Sequence, residues 1–476
     1  MRIAPPLLRL AALVLLVSGA PVHAQVAGGS GAGDPWTQAA QILKAIKAPE
    51  FPNREFVITQ FGAREGGKDD CTPAIAAAIK ACHDAGGGRV VVPGGIFLTG
   101  AIHLKSNVNL HLADGATLLF STDPAAYLPV VRTRWEGTEL MNYSPLIYAF
   151  EQENIAITGN GILDGGASDE NWWGWGRQAA NGVSKAIPDG KRLVEMGQTN
   201  VPVEQRVFGK GSYLRPNFIQ PYRCKNVLIE GVTLHRSPMW EVNPVLCENV
   251  IVRRVTADTH GPNNDGCNPD SSRNVLIEEC TFITGDDCIA IKSGRNNDGR
   301  RVNVPTENVI VRNCAMKQGH AGVAIGSEVA GSIRNVFIEK CRMDGNDFDR
   351  ALRMKSNAVR GGTIENVHMR DVEIGRVNEA ILTVDFQYEE GAKGSFPPTV
   401  RHVSIERCTS QSSPRMLWVA GIPQGTIDDI TISNCTFNGV ETAEVVSHAG
   451  KIVIDKVTIK PAKEVKGLHS RVEGTL

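Results

Sequence analysis

The chain has 476 residues, enough to bury a large core, and its 50 Lys and Arg residues nearly balance its 51 Asp and Glu residues. This balance excludes a global field that would draw the protein to nucleic acid or to an anionic membrane, so a charged ligand would have to be recognised by a local patch. The 11 cysteines are an odd number, so disulfides cannot pair all of them.

Residues 1–24 predict a cleaved secretory signal peptide. Arg2 and Arg9 accompany an apolar run that is too short to span a bilayer comfortably, and the segment ends at Ala24 with small residues where a signal peptidase cuts. We expect a secreted or periplasmic protein whose residues 25–55 form an N-terminal lead-in with a flexible GGSGAGD segment. No other segment resembles a transmembrane helix, and no membrane partner is expected.

The segment CTPAIAAAIKACHDA, residues 71–85, is predicted to be the only amphipathic helix of the chain. A helix at this place would cover the open end of the structure that follows it. The triple glycine after it lacks the Lys-Ser/Thr pair of a phosphate-binding loop, so we interpret it as a turn into the next strand.

One pattern recurs along the chain: Asn, Val, any residue, Ile or Val, two polar residues, then Cys or Val. Its clearest copies begin at Asn226, Asn249, Asn274, Asn308 and Asn335. Alternating β-branched residues at this period are typical of a solenoid with short strands as rungs. The sequence therefore predicts an all-β fold, a parallel β-helix forming one catalytic domain over residues 56–476, with an insertion around residues 165–225.

Five cysteines occupy the same position of the repeat and are predicted to stack as a ladder inside the β-helix: Cys280, Cys314, Cys341, Cys408 and Cys435. Buried cysteine behaves as a small apolar residue. A zinc site would need clustered ligands at close spacing, which the sequence lacks. Neither a metal nor a cofactor is expected.

Four segments align beyond the cysteine position: DGCNPDS, DCIAIKS, AGVAIGS and RALRMKS, each ending in Ser. Successive rungs lie ~4.8 Å apart, so Asp265 should face Asp287 across adjacent coils. The alignment brings three carboxylates, one imidazole and two cations to one outer face: Asp265, Asp286, Asp287, His320, Arg353 and Lys355.

Such a cluster suits the cleavage of a glycosidic bond. Crowded carboxylates retain a proton at a raised pKa, and the protonated group can act as general acid while another carboxylate activates water. Arg353 and Lys355, neighbours on one strand face, suit the binding of a substrate carboxylate.

Four motifs together resemble glycoside hydrolase family 28, the polygalacturonases and related pectin hydrolases. They are NND (263–265), GDD (285–287), GHA (319–321) and RMK (353–355), in the order and spacing of that family, and the resemblance extends from about Phe56 to the C-terminus. Three residues within these motifs differ from the family pattern, and none of the three differences removes an ionisable group.

The resemblance implies a right-handed, pectin-lyase-like β-helix and inverting hydrolysis of α-galacturonosidic bonds through a single displacement. It implies that Asp286 is the general acid and that Asp265 and Asp287 position and deprotonate water. His320 would tune the protonation of the acid. A gap of one water molecule between acid and base is expected for inversion.

The same resemblance implies substrate binding by Asn263, Arg353, Lys355 and Tyr388. Lys292, which points outward in the aligned register, is added to this substrate-binding set. The expected partner is a pectic polysaccharide or an oligogalacturonide, and a monomer is expected.

The insertion contains NWWGWGR, whose tryptophans Trp172, Trp173 and Trp175 either stack on a sugar or pack the insertion onto the β-helix. A long loop at one end of the groove would direct cleavage to the non-reducing chain end, and such insertions accompany exo-acting members of the family. The loop SGRNNDGRR carries Arg295, and also Arg300 and Arg301, which either bind further carboxylates or are solvated.

Three alternatives remain open at this stage. A β-helix polysaccharide lyase would use calcium and a basic residue and would form unsaturated products. A hydrolase specific for rhamnogalacturonan would share the catalytic cluster. A non-catalytic β-helix for adhesion or carbohydrate binding would leave that cluster without a role.

Overall fold

The computed structural model describes residues 34–177, 184–345, 348–442 and 444–461, and the backbone of residues 471–475. The predicted signal peptide and residues 28–33 of the glycine-rich segment lie outside the described residues. Among those described, no helix is both long enough and apolar enough to cross a membrane.

The described chain winds into a right-handed parallel β-helix with three faces, as the repeat predicts. The first and second faces belong to one 25-stranded sheet. Strands of the first face are Glu55–Val57, Gly88–Val92, Val108–Leu112, Glu153–Gly159, Lys225–Glu230, Glu248–Arg253, Arg273–Glu278, Thr306–Arg312, Ile333–Glu339, Thr363–Arg370, Thr399–Glu406, Thr426–Ser433, Ile452–Pro461 and the antiparallel Arg471–Thr475.

Strands of the second face are Gly95–Thr99, Ala116–Phe120, Ile162–Asp164, Thr233–His235, Thr256–Thr259, Thr281–Thr284, Ala315–Gln318, Arg342–Met343, Glu373–Arg376, Thr409–Ser412 and Thr436–Val440. Strands of the third face are Ile102–His103, Ile147–Phe150, Ile219–Tyr222, Ile289–Ile291, Ala321–Ile325, Arg350–Lys355, Ala380–Asp385, Arg415–Ala420 and Val445–Ser447. In the middle coils the third face continues as single β-bridges at Val242 and Cys267.

The asparagine that begins each repeat lies at the turn into the first face. Asn226, Asn249 and Asn308 have φ angles of 54°, 57° and 59°, in the left-handed region that asparagine tolerates better than most residues. Their amides hydrogen-bond from coil to coil, for example Asn249 Nδ2 to Asn226 Oδ1 at 2.7 Å and Asn335 Nδ2 to Asn308 Oδ1 at 3.0 Å. The repeated asparagine thus fixes the register in which the coils stack.

The predicted cysteine ladder is confirmed. All 11 cysteines are buried and none forms a disulfide. Cys314 lies between Cys280 and Cys341 and interacts with both thiols, inside the continuous apolar core that runs through the coils. The cysteines therefore serve packing.

Five α-helices are described: α1, Pro35–Ala45; α2, Thr72–Asp84; α3, Trp172–Gly176; α4, Ala186–Gln198; and α5, Asn296–Val302. The predicted helix is present as α2, which buries Ile75, Ala78 and Ile79 over the first coils. The expectation that it is the only amphipathic helix is wrong. Helix α1 buries Trp36, Ala39 and Ile42 against the outer side of the first face.

The insertion is packed onto the β-helix by its tryptophans. Trp172 is 1% exposed and its ring meets those of Tyr127 and Trp175 edge-on at 5.6 and 4.8 Å. Trp173 Nε1 donates a hydrogen bond to the Ser237 carbonyl at 2.8 Å. Of the two interpretations of these tryptophans, the packing one is supported.

A hairpin formed by strands Val131–Trp135 and Thr138–Asn142 lies beside the insertion and is joined by the short strand Val207–Phe208. Buried ion pairs tie these parts to the β-helix: Arg134 to Asp270 at 2.8 Å, and Arg206 to Asp298 at 2.7 Å. Because breaking a buried pair leaves an uncompensated charge, the hairpin and insertion are held firmly beside the third face.

Candidate active site

The predicted register of the four aligned segments is confirmed. Cys267 bridges to Ile289, Ile289 pairs with Val323, and Val323 pairs with Leu352, all in parallel. These four side chains point into the core and are fully buried. The side chains of the residues that alternate with them along each strand therefore point outward, on the solvent side of the third face.

The three predicted aspartates converge at one point of this face. One carboxylate oxygen each from Asp265, Asp286 and Asp287 lie within 4.8 Å of one another. Main-chain bonds from neighbouring coils hold the turn, since Asp286 N donates to the Asn264 carbonyl at 3.2 Å and His320 N donates to the Asp286 carbonyl at 3.0 Å. A side chain at Gly285 would lie 2.3 Å from a backbone oxygen, which explains the glycine of GDD.

Asp265 is the carboxyl of the cluster whose pKa is raised. Its residue is 3% exposed, and burial, followed by the charge of Asp286, raises the pKa of Asp265 well above its usual range. Lys292, 3.8 Å away, and the Asn268 amide, which donates at 2.8 Å, oppose this shift without reversing it. The sequence predicted a raised pKa for the general acid, Asp286, whereas in the structure the carboxyl with the raised pKa is that of Asp265.

Asp286 and His320 form a charged pair. His320 Nδ1 lies 3.1 Å from Asp286 Oδ1. Burial raises the pKa of Asp286, but the His320 hydrogen bond and the Lys355 charge outweigh it and lower the value to about 2. The same hydrogen bond raises the pKa of His320 to about 9. The pair holds one proton, which resides on the imidazole rather than on the expected acid.

The Asp287 carboxylate is buried and forms an ion pair with Lys355. It is 1% exposed, and Lys355 Nζ donates to its Oδ2 at 2.9 Å. Its other oxygen, Oδ1, is buried and has no hydrogen-bond partner among the described residues. Lys355 therefore holds the carboxylate in place through Oδ2, and Oδ1 is left without a partner.

Lys292 does not fit the predicted role in substrate binding. Its residue is 4% exposed, and Nζ lies 3.1 Å from Glu328 Oε2 and 4.5 Å from the centre of the Trp240 ring. Because the ammonium is enclosed between these groups and Asp265, its role is to support the carboxylate cluster. The sequence expectation is corrected on this point.

Arg353 and Tyr388 lie together, as predicted. The Arg353 guanidinium carbon is 5.4 Å from the centre of the Tyr388 ring, and Lys355 Nζ is 5.6 Å from it. Arg353 Nε is buried without a hydrogen-bond partner in the part of the chain that the structure describes. The terminal Nη1 and Nη2 groups of Arg353 also have no hydrogen bond or ion pair with a described residue, and they are the donors left for an external acceptor.

Sequence reasoning missed the residue that anchors Tyr388. Arg360 is fully buried, pairs with Glu389, and reaches Glu390 at 3.4 Å and Asn296 Oδ1 at 3.0 Å. These two glutamates directly follow Tyr388, so Arg360 fixes the loop that presents the ring. The adjacent acids of the DFQYEE segment were the only signal for such a partner.

An open pocket of about 680 Å³ adjoins the cluster. Helix α4 and the hairpin turn at Glu136 form its walls, and Arg215, Asn263 and Arg295 line its floor and sides. Arg295 Nη1 lies 2.8 Å from Glu136 Oε2 and bridges two walls. The predicted substrate residue Asn263 thus lies between the carboxylate cluster and this pocket.

The other two loop arginines have structural partners. Arg300 donates to the carbonyls of Val359 and Arg360 at 3.1 and 2.8 Å. Arg301 pairs with Asp298 at 3.0 Å and with the buried Glu139. Of the three arginines in this loop, Arg295 is the one that lines the pocket.

Comparison with known proteins assigns the family. Residues 208–449 match the sequence profile of Glycosyl hydrolases family 28. The crystal structure of a hyperthermoactive exopolygalacturonase from Thermotoga maritima is 41% identical, covers 93% of this chain and 99% of its own, and superposes with a TM-score of 0.87. An exo-poly-alpha-D-galacturonosidase of Dickeya chrysanthemi is 26% identical over 85% of this chain and 75% of its own. A probable polygalacturonase of Vitis vinifera is 28% identical over 74% and 67%, respectively.

The fold and the carboxylate cluster define a β-helical glycosidase. The chain belongs to Glycosyl hydrolases family 28. This assignment favours a hydrolase over both the lyase and the non-catalytic alternatives.

Proposed function

We propose that the protein is a secreted enzyme that hydrolyses α-galacturonosidic bonds of pectic chains from the non-reducing end. The observation that carries the end-on mode is the pocket beside the carboxylate cluster, which α4 of the insertion and the turn at Glu136 line. The names of the Thermotoga maritima and Dickeya chrysanthemi relatives, both exo-acting enzymes on galacturonans, support this proposal.

Asp286 acts as general acid, with His320 as the store of its proton. The His320 side chain is 54% exposed, so a bound sugar would displace water from the pair. Desolvation disfavours charged forms, and the imidazolium–carboxylate pair then becomes a neutral imidazole and a neutral carboxylic acid. The proton passes from His320 to Asp286 and from Asp286 to the glycosidic oxygen as the bond breaks.

Asp287 acts as the base that takes a proton from water. Lys355 Nζ is bonded to its Oδ2, and Oδ1 has no hydrogen-bond partner among the described residues. Asp265, which retains its proton, can donate a hydrogen bond to the same water or to the sugar. Asp265 and Asp287 together therefore orient and activate one water molecule.

Inversion is proposed on the family resemblance alone. Inverting enzymes usually separate their two carboxyl groups by roughly 6.5–9.5 Å, which leaves room for water between acid and base. In this cluster one oxygen of each of the three carboxylates lies within 4.8 Å of the other two.

Arg353 is the cation best suited to a galacturonate carboxylate, because Lys355 is already bonded to Asp287. A planar guanidinium can form two parallel hydrogen bonds with a carboxylate. Tyr388, fixed by the loop that Arg360 anchors, contributes a ring beside the same group.

The test is product analysis on oligogalacturonides of defined length that carry a label at the reducing end. We expect galacturonate as the first and only small product, a labelled chain that shortens one residue at a time, and an inverted anomer at early times by NMR. A spread of labelled fragments from the first minutes would contradict the end-on mode, and a retained anomer would contradict inversion.

The same assay distinguishes the proposed hydrolase from a polysaccharide lyase. A lyase would form unsaturated products that absorb in the ultraviolet and would lose activity when calcium is chelated. Here Lys355 and Lys292 already face the carboxylates that a cation would need, so we expect a chelator to leave the rate unchanged.

Secretion and the domain limits are part of the proposal. N-terminal sequencing of exported protein should find Gln25 as the first residue. Detection of uncleaved protein in the cytoplasm alone would contradict export.

A further inference from the structure

Arg215, on the chain segment that leads from the insertion into the third face, is a buried cation with an unusual set of partners. It is 2% exposed. Nη1 donates to the carbonyls of Pro238 and Pro262 at 2.8 and 2.7 Å, and Nη2 donates to Asn263 Oδ1 at 2.6 Å. Within the described residues it forms no contact ion pair, and its guanidinium is bonded to two carbonyl oxygens and one amide oxygen, with the charges of Glu136, Asp265 and Asp286 nearby.

The contact with Asn263 determines how that side chain is oriented. A guanidinium can only donate hydrogen bonds, so the atom of the Asn263 amide facing Arg215 must be the oxygen. The amide nitrogen Nδ2 is left without a hydrogen bond to any residue that the structure describes, and Asn263 lines the pocket. Asn263 therefore presents a donor, and not an acceptor, to whatever enters.

Three cations and three carboxylates line the pocket: Lys191, Arg215 and Arg295, and Glu136, Glu195 and Glu390. Glu136 and Glu390 are bonded to Arg295 and to Arg360 and Asn357, respectively. Arg215 is bonded to no carboxylate, and its hydrogen bond to Asn263 Oδ1 leaves the Asn263 NH₂ group as a free donor at the pocket.

We propose that Arg215 is a positioning residue that holds the Asn263 amide with its NH₂ group towards the pocket, and that this pair selects a terminal sugar bearing a carboxylate, a uronic acid. This inference rests on the proposed end-on hydrolysis of galacturonans and names the residues that determine which chain end is accepted. Arg215 touches no reacting atom and acts only through Asn263.

The absence of a side chain at Gly176 leaves room for the Arg215 guanidinium. A Cβ added at Gly176, in the GWG of the insertion, would lie 2.6 Å from Arg215 Nη2. Gly176→Ala should therefore displace the guanidinium.

The experiment is a double-mutant cycle on the hydrolysis of trigalacturonate, read as KM because KM does not depend on the fraction of enzyme that is folded. We expect Arg215→Gln and Asn263→Ala each to raise KM by about 10- to 100-fold, the effect of losing a hydrogen bond to a charged group. In the Asn263→Ala background, Arg215→Gln should add less than about threefold, since no amide is left to orient.

Two further variants make the test independent of the stability of Arg215→Gln. Gly176→Ala should raise KM in the wild-type background but not in the Asn263→Ala background. Asn263→Asp should raise KM more than Asn263→Ala, because its second oxygen would repel a carboxylate.

Additive effects of Arg215→Gln and Asn263→Ala, or an unchanged KM in Arg215→Gln, would overturn the inference while leaving the proposed function intact. A wild-type protein that releases no galacturonate from any oligogalacturonide would overturn the proposed function and, with it, this inference.

Discussion

His320 Nδ1 lies 3.1 Å from Asp286 Oδ1, and this contact determines where the acid proton of the site is stored. It lowers the pKa of the carboxyl group and raises that of the imidazole. A carboxyl group with a pKa lowered to about 2 is almost entirely ionised near neutral pH and has no proton to donate, but the imidazole of the pair carries one. In the proposed mechanism, exclusion of water by the sugar is therefore part of the catalytic step.

The alkaline limit of activity should follow His320. Its pKa is raised to about 9, so the imidazole is protonated below that value and loses the proton as pH rises through it. We expect kcat/KM to fall above about pH 9. In His320→Asn the hydrogen bond that lowers the pKa of Asp286 is lost, and the fall should begin at a lower pH, with activity at pH 7 reduced by about 10²- to 10⁴-fold. Equal alkaline limbs in both pH–rate profiles would contradict this proton store.

Asp286→Asn should remove the acid without removing the binding site. We expect kcat to fall by about 10³-fold or more, because an amide cannot protonate the leaving oxygen, and KM to change little. Asp349→Asn is the control, since Asp349 lies beside His320 but outside the carboxylate cluster. Steady-state kinetics on trigalacturonate measure both variants, and near-normal turnover in Asp286→Asn would refute the assignment.

Arg353 and Lys355, two residues apart on one strand, should respond differently to substitution. Arg353 has free donors and no ion-pair partner among the described residues, so Arg353→Gln should raise KM by about 10-fold or more with little change in the melting temperature. Lys355→Met leaves Asp287 buried and unpaired, which should destabilise the fold by about 3–5 kcal/mol.

Thermal unfolding and steady-state kinetics distinguish these two effects. The double variant Lys355→Met/Asp287→Asn should recover much of the lost stability, because no buried charge is left alone. Equal losses of stability in Arg353→Gln and Lys355→Met would show that the two cations share one role.

The register of the site could be predicted from the sequence because stacked coils repeat side-chain direction. Asp265 and Asp287 were placed opposite each other by aligning residues that share a repeat position, and the bridge from Cys267 to Ile289 bears this out. The roles of the charged residues depended on contacts outside the repeat. Lys292 looked available for substrate, but Glu328 and Trp240 enclose it, and neither follows from the alignment.

Parts of the molecule without the repeat were the least predictable. The contact of Arg215 with Asn263 joins residues 48 apart in the chain, and no periodic pattern relates them. Helix α1 docks on Leu228, Ile251 and Leu276, which lie on separate coils and form one apolar strip only after the coils stack. A strip assembled from distant coils leaves no signal in any single window of sequence.

The docking of α1 should stabilise the β-helix without affecting catalysis. Trp36 is 8% exposed, its ring lies 5.7 Å from that of Phe337, and the Arg370 guanidinium stacks on it at 3.7 Å. Trp36→Ala should therefore cost about 3 kcal/mol, as for other large buried aromatic residues, and lower the melting temperature. Gln41→Ala, on the exposed side of α1, should change neither stability nor kcat. An unchanged melting temperature in Trp36→Ala would mean that α1 does not hold this position in solution, whereas a changed kcat at full folding would mean that the helix reaches the site on the third face.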